Sequence, residues 1–144
     1  NSRMDTIQAS ILLEKLKYLK KDISYKNKLA KIYYKNLKNI KEVSFIIPES
    51  HIKHSYYLFT IKAKQRNKLK NYLISKGVQT GIYYPNLLPF QKVYSKYKIK
   101  KADFKTGIDI NKEILSLPIN SSLSTGDIEY CCLQIKNFYK LKVK

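Results

Sequence analysis

Apolar side chains near the start of the chain recur at helical spacing. The stripe comprises Ile7, Ile11, Leu12, Leu16, Leu19 and Ile23, which predicts one amphipathic helix. Asp5, with Gln8 three positions later, predicts the start of this helix as an acidic variant of the capping box. A second helical stripe follows Ser24 and predicts a second helix, with apolar positions Leu29, Tyr33, Leu37 and Ile40.

The pattern then changes to short runs of β-branched and aromatic residues. Residues 43–47, which end before Pro48, and residues 56–61 predict two strands. Helical spacing returns at Leu69, Tyr72 and Leu73, and Gly77 predicts the end of that helix, because glycine adopts the left-handed conformation that closes helices. A third strand is predicted over residues 79–84.

The last part of the chain alternates between an irregular loop and helices. Pro85 and Pro89 predict the loop, and short helices are expected at 90–97 and 109–115. A final helix is predicted to start near Ser124, with one apolar face formed by Ile128, Cys132, Ile135 and Tyr139. This order of elements predicts an α+β fold, in which helices pack on a small mixed or antiparallel sheet, as one domain over residues 1–144.

The charge balance is the most extreme feature of the composition. Twenty-nine basic residues against 10 acidic ones give a formal charge of +19, which favours contact with phosphate backbones. Only Arg3 and Arg66 are arginines, however, and lysines occur throughout the chain, so the pattern disfavours nucleic acid as the partner. The 44% hydrophobic content excludes a wholly disordered chain. No apolar run is long enough for a membrane span or a signal peptide, so we expect a cytoplasmic protein.

Catalytic motifs recognisable from residue type alone are weak. His51 and His54 are spaced like a metal pair but have no further ligands of suitable type near them, so no metal site is predicted. Cys131 and Cys132 are neighbours, which disfavours an ordinary disulfide, and we expect them in the core. The four glycines form no phosphate-binding loop. These patterns alone indicate a basic α+β domain.

Four short segments carry a more specific signal. They are Asn-Ser-Arg-Met-Asp at 1–5, His-Ser-Tyr-Tyr-Leu-Phe at 54–59, Thr-Gly-Ile-Tyr-Tyr-Pro at 80–85 and Leu-Ser-Leu-Pro at 115–118. In this order they resemble the C-terminal portion of the DegT/DnrJ/EryC1/StrS family of pyridoxal phosphate (PLP) dependent nucleotide-sugar aminotransferases. The resemblance implies the small C-terminal domain of a fold type I transferase, in which residues 1–23 are the connecting helix from a PLP-binding large domain.

The resemblance also implies an activity and site residues. A lysine would bind PLP, and the enzyme, a homodimer with its site between subunits, would transfer an amino group from glutamate to a nucleotide-linked keto-sugar for polysaccharide or glycoconjugate synthesis. Asn1 would contact the PLP phosphate, Arg3 a substrate phosphate or carboxylate, and Tyr83 and Tyr84 would lie at the rim of the substrate pocket. Each role has an open alternative. Asn1 would then merely precede the helix, Arg3 would form a structural salt bridge, and both tyrosines would be ordinary aromatic residues of a strand.

Two departures from the family pattern shape the expectation. Residues 87–90 read Leu-Leu-Pro-Phe where many members carry a histidine. The family's Schiff-base lysine precedes the segment that matches Asn1, so no catalytic residue is assigned in this chain, and we expect the isolated chain to be inactive.

Because the chain starts at Asn1 rather than methionine, we expect it to be processed or a piece of a longer protein. The alternatives are a free-standing basic module that binds nucleic acid or another polyanion, and a gene remnant without activity.

Overall fold

Helices surround a short sheet in the computed structural model, which describes residues 3–140. The α-helices are α1 (Thr6–Leu16), α2 (Leu19–Leu37), α3 (Arg66–Ser75), α4 (Lys105–Glu113) and α5 (Thr125–Lys140). The strands are β1 (Val43–Ser44), β2 (Phe59–Ala63) and β3 (Ile114–Leu117), and 3-10 helices span Leu88–Phe90, Lys92–Tyr97 and Lys101–Phe104. Within residues 3–140 no helix is long and apolar enough to cross a membrane.

The sheet is antiparallel, with β2 between β1 and β3. In β2 the side chains alternate, so that Phe59, Ile61 and Ala63 are buried whereas Thr60 and Lys62 are exposed. This alternation is expected for a strand that packs on the core through one face. The predicted α+β class is therefore confirmed, and the sheet is antiparallel rather than mixed.

The hydrophobic core lies between this sheet and helices α2, α3 and α5. Its fully buried members include Leu29, Tyr33, Leu37, Leu69, Leu73, Leu115, Ile128 and Ile135. The Tyr33 ring stacks on Phe59 of β2, with 4.5 Å between the ring centroids. The apolar stripes predicted for α2, α3 and α5 therefore form the buried faces of these helices.

The boundary between the first two helices differs from the prediction. Asp5 caps α1 as expected, since its Oδ1 accepts a hydrogen bond of 2.7 Å from the Ile7 backbone N–H. The break occurs at Lys17 and Tyr18, where backbone N–H groups bond three residues back, and not at Ser24. Ser24 lies inside α2 because its weak preference against helix is outweighed by the packing of the following apolar stripe.

Two predicted strands are shorter or shifted. The first ends at Ser44 rather than residue 47, because the chain leaves the sheet and exposes Ile46 and Ile47. The second starts at Phe59 rather than residue 56, because Tyr56 has a φ of +45°, which is incompatible with an extended strand.

The third predicted strand, residues 79–84, is wrong. Gly81 makes one isolated antiparallel bridge, to Ser116, and the neighbouring residues join no ladder. The strand that occupies this side of β2 is β3, which lies where the sequence predicts the end of a helix at 109–115. Leu115, Ser116 and Leu117 are all buried, so β3 lacks the alternation that identifies a half-buried strand from sequence.

Both cysteines are free thiols in the core, as predicted. Burial raises the pKa of Cys131 to about 11 and that of Cys132 to about 12. At neutral pH both thiols are therefore protonated and poorly reactive.

The cap of α5 is reciprocal. The Ser124 hydroxyl accepts a hydrogen bond from the Asp127 N–H (3.1 Å), while Asp127 Oδ2 accepts from the Ser124 N–H (2.8 Å) and hydroxyl (2.7 Å). The hydrogen bond from the Ser124 hydroxyl and, to a smaller extent, that from the Ser124 backbone N–H lower the pKa of Asp127. The predicted helix start at Ser124 is confirmed.

We expect Asp127→Asn to lower stability at pH 7 and to have a smaller effect in acid. Because the folded-state pKa of Asp127 is depressed, its contribution is present above the unfolded pKa, about 3.9, and is lost as pH falls. Urea midpoints at pH 7 and pH 3 measure this difference, with Glu129→Gln as the control on the exposed side of the same helix. An equal loss at both pH values would contradict the role of the carboxylate.

Candidate functional site

A cleft of about 300 Å³ lies beside the bridge between Gly81 and β3. Its lining residues are Tyr57, Leu58, Gln79, Thr80, Gly81, Tyr83, Ser116, Leu117, Pro118, Ile119 and Asn120. Hydroxyl and amide groups supply the polar part of this wall, and the lining includes no lysine, arginine, histidine or carboxylate. Such a set can donate and accept hydrogen bonds to a polar ligand but supplies no strong acid or base.

Gly81 determines where the ring of Tyr83 lies. A Cβ added at Gly81 would come within 2.5 Å of Tyr83 Cε2 and 2.8 Å of its Cζ, so the ring occupies the space that any other residue would fill. The backbone of Gly81 is itself fixed, because it exchanges two hydrogen bonds with Ser116, of 3.0 and 2.8 Å. Because glycine has no Cβ, it leaves the space in which the half-exposed Tyr83 ring lies beside the cleft.

The sheet supports the opposite side of this bridge. Ser116 and Thr60 face each other across β2 and β3, with 2.8 Å between their hydroxyl oxygens. Thr80 lines the same cleft, and its Oγ1 is buried without a hydrogen-bond partner among residues 3–140. A buried hydroxyl without a partner is costly, and a ligand that bonds to it would remove this cost.

Tyr84 follows Tyr83, is mostly exposed and is not among the residues that line the cleft. Its ring meets Tyr83 edge-on, with centroids 5.8 Å apart, and the peptide between the two residues is cis. Asn111 of α4 donates a hydrogen bond of 2.6 Å to the Tyr84 carbonyl. Of the two tyrosines predicted at the pocket rim, Tyr83 lines the cleft and Tyr84 contacts the Tyr83 ring from outside the lining.

The other two predicted site residues are not part of this cleft. Arg3 is exposed before the start of α1 and makes no hydrogen bond or ion pair with another residue between 3 and 140. Asn1 lies outside the described residues. The roles of both residues stay predictions.

Several polar residues of the cleft are absent from the sequence prediction, Tyr57, Thr80 and Asn120 among them. Tyr57 and Asn120 line it, and Thr80 contributes the unpartnered hydroxyl. Tyr57 lies just before β2 and Asn120 just after β3, so the pairing of these strands brings them to one end of the sheet. Both follow from long-range pairing and leave no local pattern, although Tyr57 falls within the His-Ser-Tyr-Tyr-Leu-Phe segment.

The two histidines have separate partners. His54 Nδ1 accepts a hydrogen bond of 3.0 Å from the Tyr56 N–H, and His51 Nδ1 lies 3.4 Å from Glu49 Oε2. Among residues 3–140 no three metal-ligating side chains cluster. His54 instead contacts the backbone at the turn that leads to Tyr57.

Comparison with known proteins identifies the family. A sequence model of the DegT/DnrJ/EryC1/StrS aminotransferase family matches residues 1–136. The chain belongs to this family. The resemblance based on the four segments is thereby confirmed over nearly the whole chain.

Two relatives illustrate the family. The chain is 34% identical over 131 residues to dTDP-3-amino-3,6-dideoxy-alpha-D-galactopyranose transaminase from Aneurinibacillus thermoaerophilus, an alignment that covers 90% of this chain and 35% of the relative. It is 36% identical over 106 residues to 3-oxo-glucose-6-phosphate:glutamate aminotransferase from Bacillus subtilis, which covers 67% of this chain and 24% of the relative.

The fold is shared with solved members of the family. The crystal structure of a DegT DnrJ EryC1 StrS aminotransferase from Brucella abortus superposes with a TM-score of 0.88 at 30% identity, covering 96% of this chain and 36% of that protein. The chain thus spans about a third of the length of the family members that it matches.

Proposed function

We propose that this chain is the C-terminal part of a PLP-dependent sugar aminotransferase that acts on a nucleotide-linked keto-sugar. The family match over residues 1–136 carries the proposal, together with coverage of between 24% and 36% of the matched proteins described above. The product would serve polysaccharide or glycoconjugate synthesis in the cytoplasm.

The cofactor would be held mainly by residues outside this chain. When bound, PLP supplies the electron sink that lets an amino group leave glutamate and join a keto-sugar. The lysine that binds it would precede Asn1, and Asn1 would donate its amide N–H to the cofactor phosphate of the partner subunit in a homodimer. The cleft has no charged lining residue. Its hydroxyl and amide groups would therefore orient a ligand, and proton transfer would fall to groups outside this chain.

The role of this chain would be to orient the substrate. Tyr83, with Tyr84 against its ring, would form the rim of the substrate pocket. Tyr57 and Asn120, which also line the cleft, would supply further polar groups to bond the sugar hydroxyls. Thr80 Oγ1 has no partner among the described residues, so a ligand that reaches it would supply the missing hydrogen bond. Arg3 would pair with a substrate phosphate or carboxylate.

A half-reaction tests this function without knowledge of the sugar. The native gene product, purified with PLP and given glutamate alone, is expected to form 2-oxoglutarate in an amount equal to the bound cofactor. The same protein stripped of PLP is the control and should form none. If PLP is bound but no common amino acid yields its keto acid, the proposed function is wrong.

The exposed apolar face of α1 would pack on the rest of the enzyme. α1 contains no buried residue, and a groove along it is lined by Met4, Ala9, Leu12, Leu13, Lys15, Leu16 and Leu19. Helices with an apolar stripe normally bury it, so this face fits a large domain or second subunit.

We therefore expect the isolated chain to self-associate through α1. In light scattering at micromolar concentration its mass should exceed 17.0 kDa, and Leu12→Lys combined with Leu16→Lys should return it towards the monomer. Ile74→Lys, at an equally exposed isoleucine on α3, is the control and should leave the association unchanged. A monomeric unmodified chain would contradict the interpretation of this face.

A further inference from the structure

The segment from Lys92 to Lys105, here called the lysine turn, concentrates positive charge. Six of its 14 residues are lysines, against 27 lysines among all 144 residues, and Asp103 is its one acidic residue. The segment therefore carries five net positive charges. The lysines are Lys92, Lys96, Lys98, Lys100, Lys101 and Lys105, and each is exposed.

Two short helices meet at the centre of the lysine turn. The 3-10 helix Lys92–Tyr97 ends at Lys98, which has the left-handed φ of +48°, and the next 3-10 helix starts at Lys101. Four lysines, at 96, 98, 100 and 101, therefore lie within six residues of chain around this left-handed position. Their positive charges add, so an anion bound beside this segment would be attracted by all four.

These four lysines lack partners within the described chain. None forms an ion pair with a carboxylate between residues 3 and 140, and Lys96 instead lies 5.1 Å from the centroid of the Tyr97 ring. Tyr97 and Tyr94 are both exposed, with 6.4 Å between their ring centroids. The turn thus combines unpaired cations with aromatic faces, which suit phosphate groups and a planar base respectively.

The lysine turn and the helix that follows it contact the loop after Tyr83 and Tyr84. Phe104 packs edge-on against Phe90, with centroids 5.8 Å apart, and Asn111 of the following helix donates to the Tyr84 carbonyl. Leu87 lies beside Gly107, whose added Cβ would be 3.5 Å from its Cδ1. These contacts pack residues 104–111 against residues 84–90, so the C-terminal end of the lysine turn lies near the loop that contains Tyr84.

We propose that the lysine turn binds the diphosphate of a nucleoside diphosphate sugar, with the base against Tyr94 or Tyr97 and the sugar directed to the cleft. The inference rests on the proposed function and deepens it, because it assigns the anionic half of the substrate to residues 92–105. The two relatives differ in this half: one is named for a dTDP-sugar and the other for a sugar 6-phosphate. An extended basic turn with exposed aromatics suits the larger anion.

Charge-matched variants of the native gene product test the proposal by calorimetric titration with dTDP, UDP and GDP. The turn variant replaces Lys96, Lys98, Lys100 and Lys101 by glutamine. The control variant replaces Lys20, Lys31, Lys35 and Lys38, exposed lysines of α2 and its C-terminal end, by glutamine. Both variants lose four positive charges, so a difference in nucleotide affinity between them reflects where the lysines lie and not the net charge of the protein.

The turn variant is expected to bind at least one nucleoside diphosphate at least about tenfold more weakly, and the control variant less than about twofold more weakly. Glucose 6-phosphate should bind more weakly than the nucleoside diphosphate, and Tyr94→Ala with Tyr97→Ala should reduce that preference. Equal weakening in both variants, or tighter binding of heparin or a single-stranded oligonucleotide than of any nucleotide, would overturn the proposal.

Failure of this inference is separable from failure of the proposed function. If glutamate yields 2-oxoglutarate but the turn variant binds nucleotides normally, the lysine turn is not the diphosphate site. If nucleotide binding depends on the turn but no keto acid forms with PLP bound, the aminotransferase assignment fails and the binding site remains.

Discussion

Tyr33→Ala is expected to lower the free energy of unfolding by about 3–5 kcal/mol, the range for truncating a large buried aromatic residue. Tyr33 is fully buried, stacks on Phe59, and donates a hydrogen bond of 2.8 Å to the Pro118 carbonyl. It therefore joins α2, β2 and the segment after β3. Because small domains are stable by only about 5–15 kcal/mol, this single change should leave the chain close to unfolding at 25 °C.

Tyr33→Phe is the matched control, because it keeps the ring and removes the hydroxyl. Burial, with a smaller contribution from nearby Cys131, raises the pKa of Tyr33 well above its ordinary value, so the hydroxyl stays neutral and acts as a donor. Its loss leaves the Pro118 carbonyl without that bond, and we expect about 1–2 kcal/mol. Urea unfolding followed by circular dichroism measures both values. A Tyr33→Ala loss no larger than that of Tyr33→Phe would contradict the packing described here.

Gly81→Ala is expected to lower kcat/KM of the native gene product by about tenfold to 100-fold. The new methyl group would overlap the Tyr83 ring and push it away from its place beside the cleft. Displacement of a substrate-positioning group by about 1 Å can cost about 100-fold in rate. Initial rates with glutamate and the keto-sugar measure the effect.

Gly126→Ala is the control for this substitution. A Cβ at Gly126 lies 3.6 Å from Ser124 Oγ, an ordinary contact, so the variant should keep full activity. A double-mutant cycle with Tyr83→Ala separates positioning from general damage, because Gly81→Ala should add little once the Tyr83 ring is absent. Additive losses would show that Gly81 does not act through Tyr83.

The helices that pack in the core were predictable because their signals are local. The stripe from Leu29 to Leu37, the cap at Ser124 and the left-handed Gly77, with φ of +76°, can each be recognised within a few residues. Periodicity identifies a helix wherever one side is buried and the other is solvated.

The strands were less predictable because their partners are distant in sequence. β3 pairs with β2 across more than 50 residues and is buried along its length, so Leu115 and Leu117 show no alternation with an exposed neighbour. Residues 79–84 have the composition of a strand but supply one bridge, through Gly81. Composition predicts a preference for extended backbone, whereas pairing decides which segment enters the sheet.

The candidate site was predictable only in part for the same reason. Tyr83 and Tyr84 are predicted as site residues through the resemblance of residues 80–85 to the family segment, and no feature of their local pattern marks them; of the two, Tyr83 lines the cleft. Tyr57 and Asn120 reach the cleft through the antiparallel pairing of β2 and β3, which single-sequence periodicity does not encode. The lysine turn was not singled out from the sequence, because lysines occur throughout the chain, and its position near Tyr84 follows from the contacts of Phe104 and Asn111.

The central claim, that these residues complete a PLP enzyme whose Schiff-base lysine lies elsewhere, is tested most directly by locating the bound cofactor. The native gene product is reduced with borohydride, digested, and its PLP-labelled lysine peptide is sequenced by mass spectrometry. We predict a label on a peptide outside the 144 residues, in a protein heavier than 17.0 kDa. A label on a lysine of this chain, or a gene product of 17.0 kDa without label, would contradict the account.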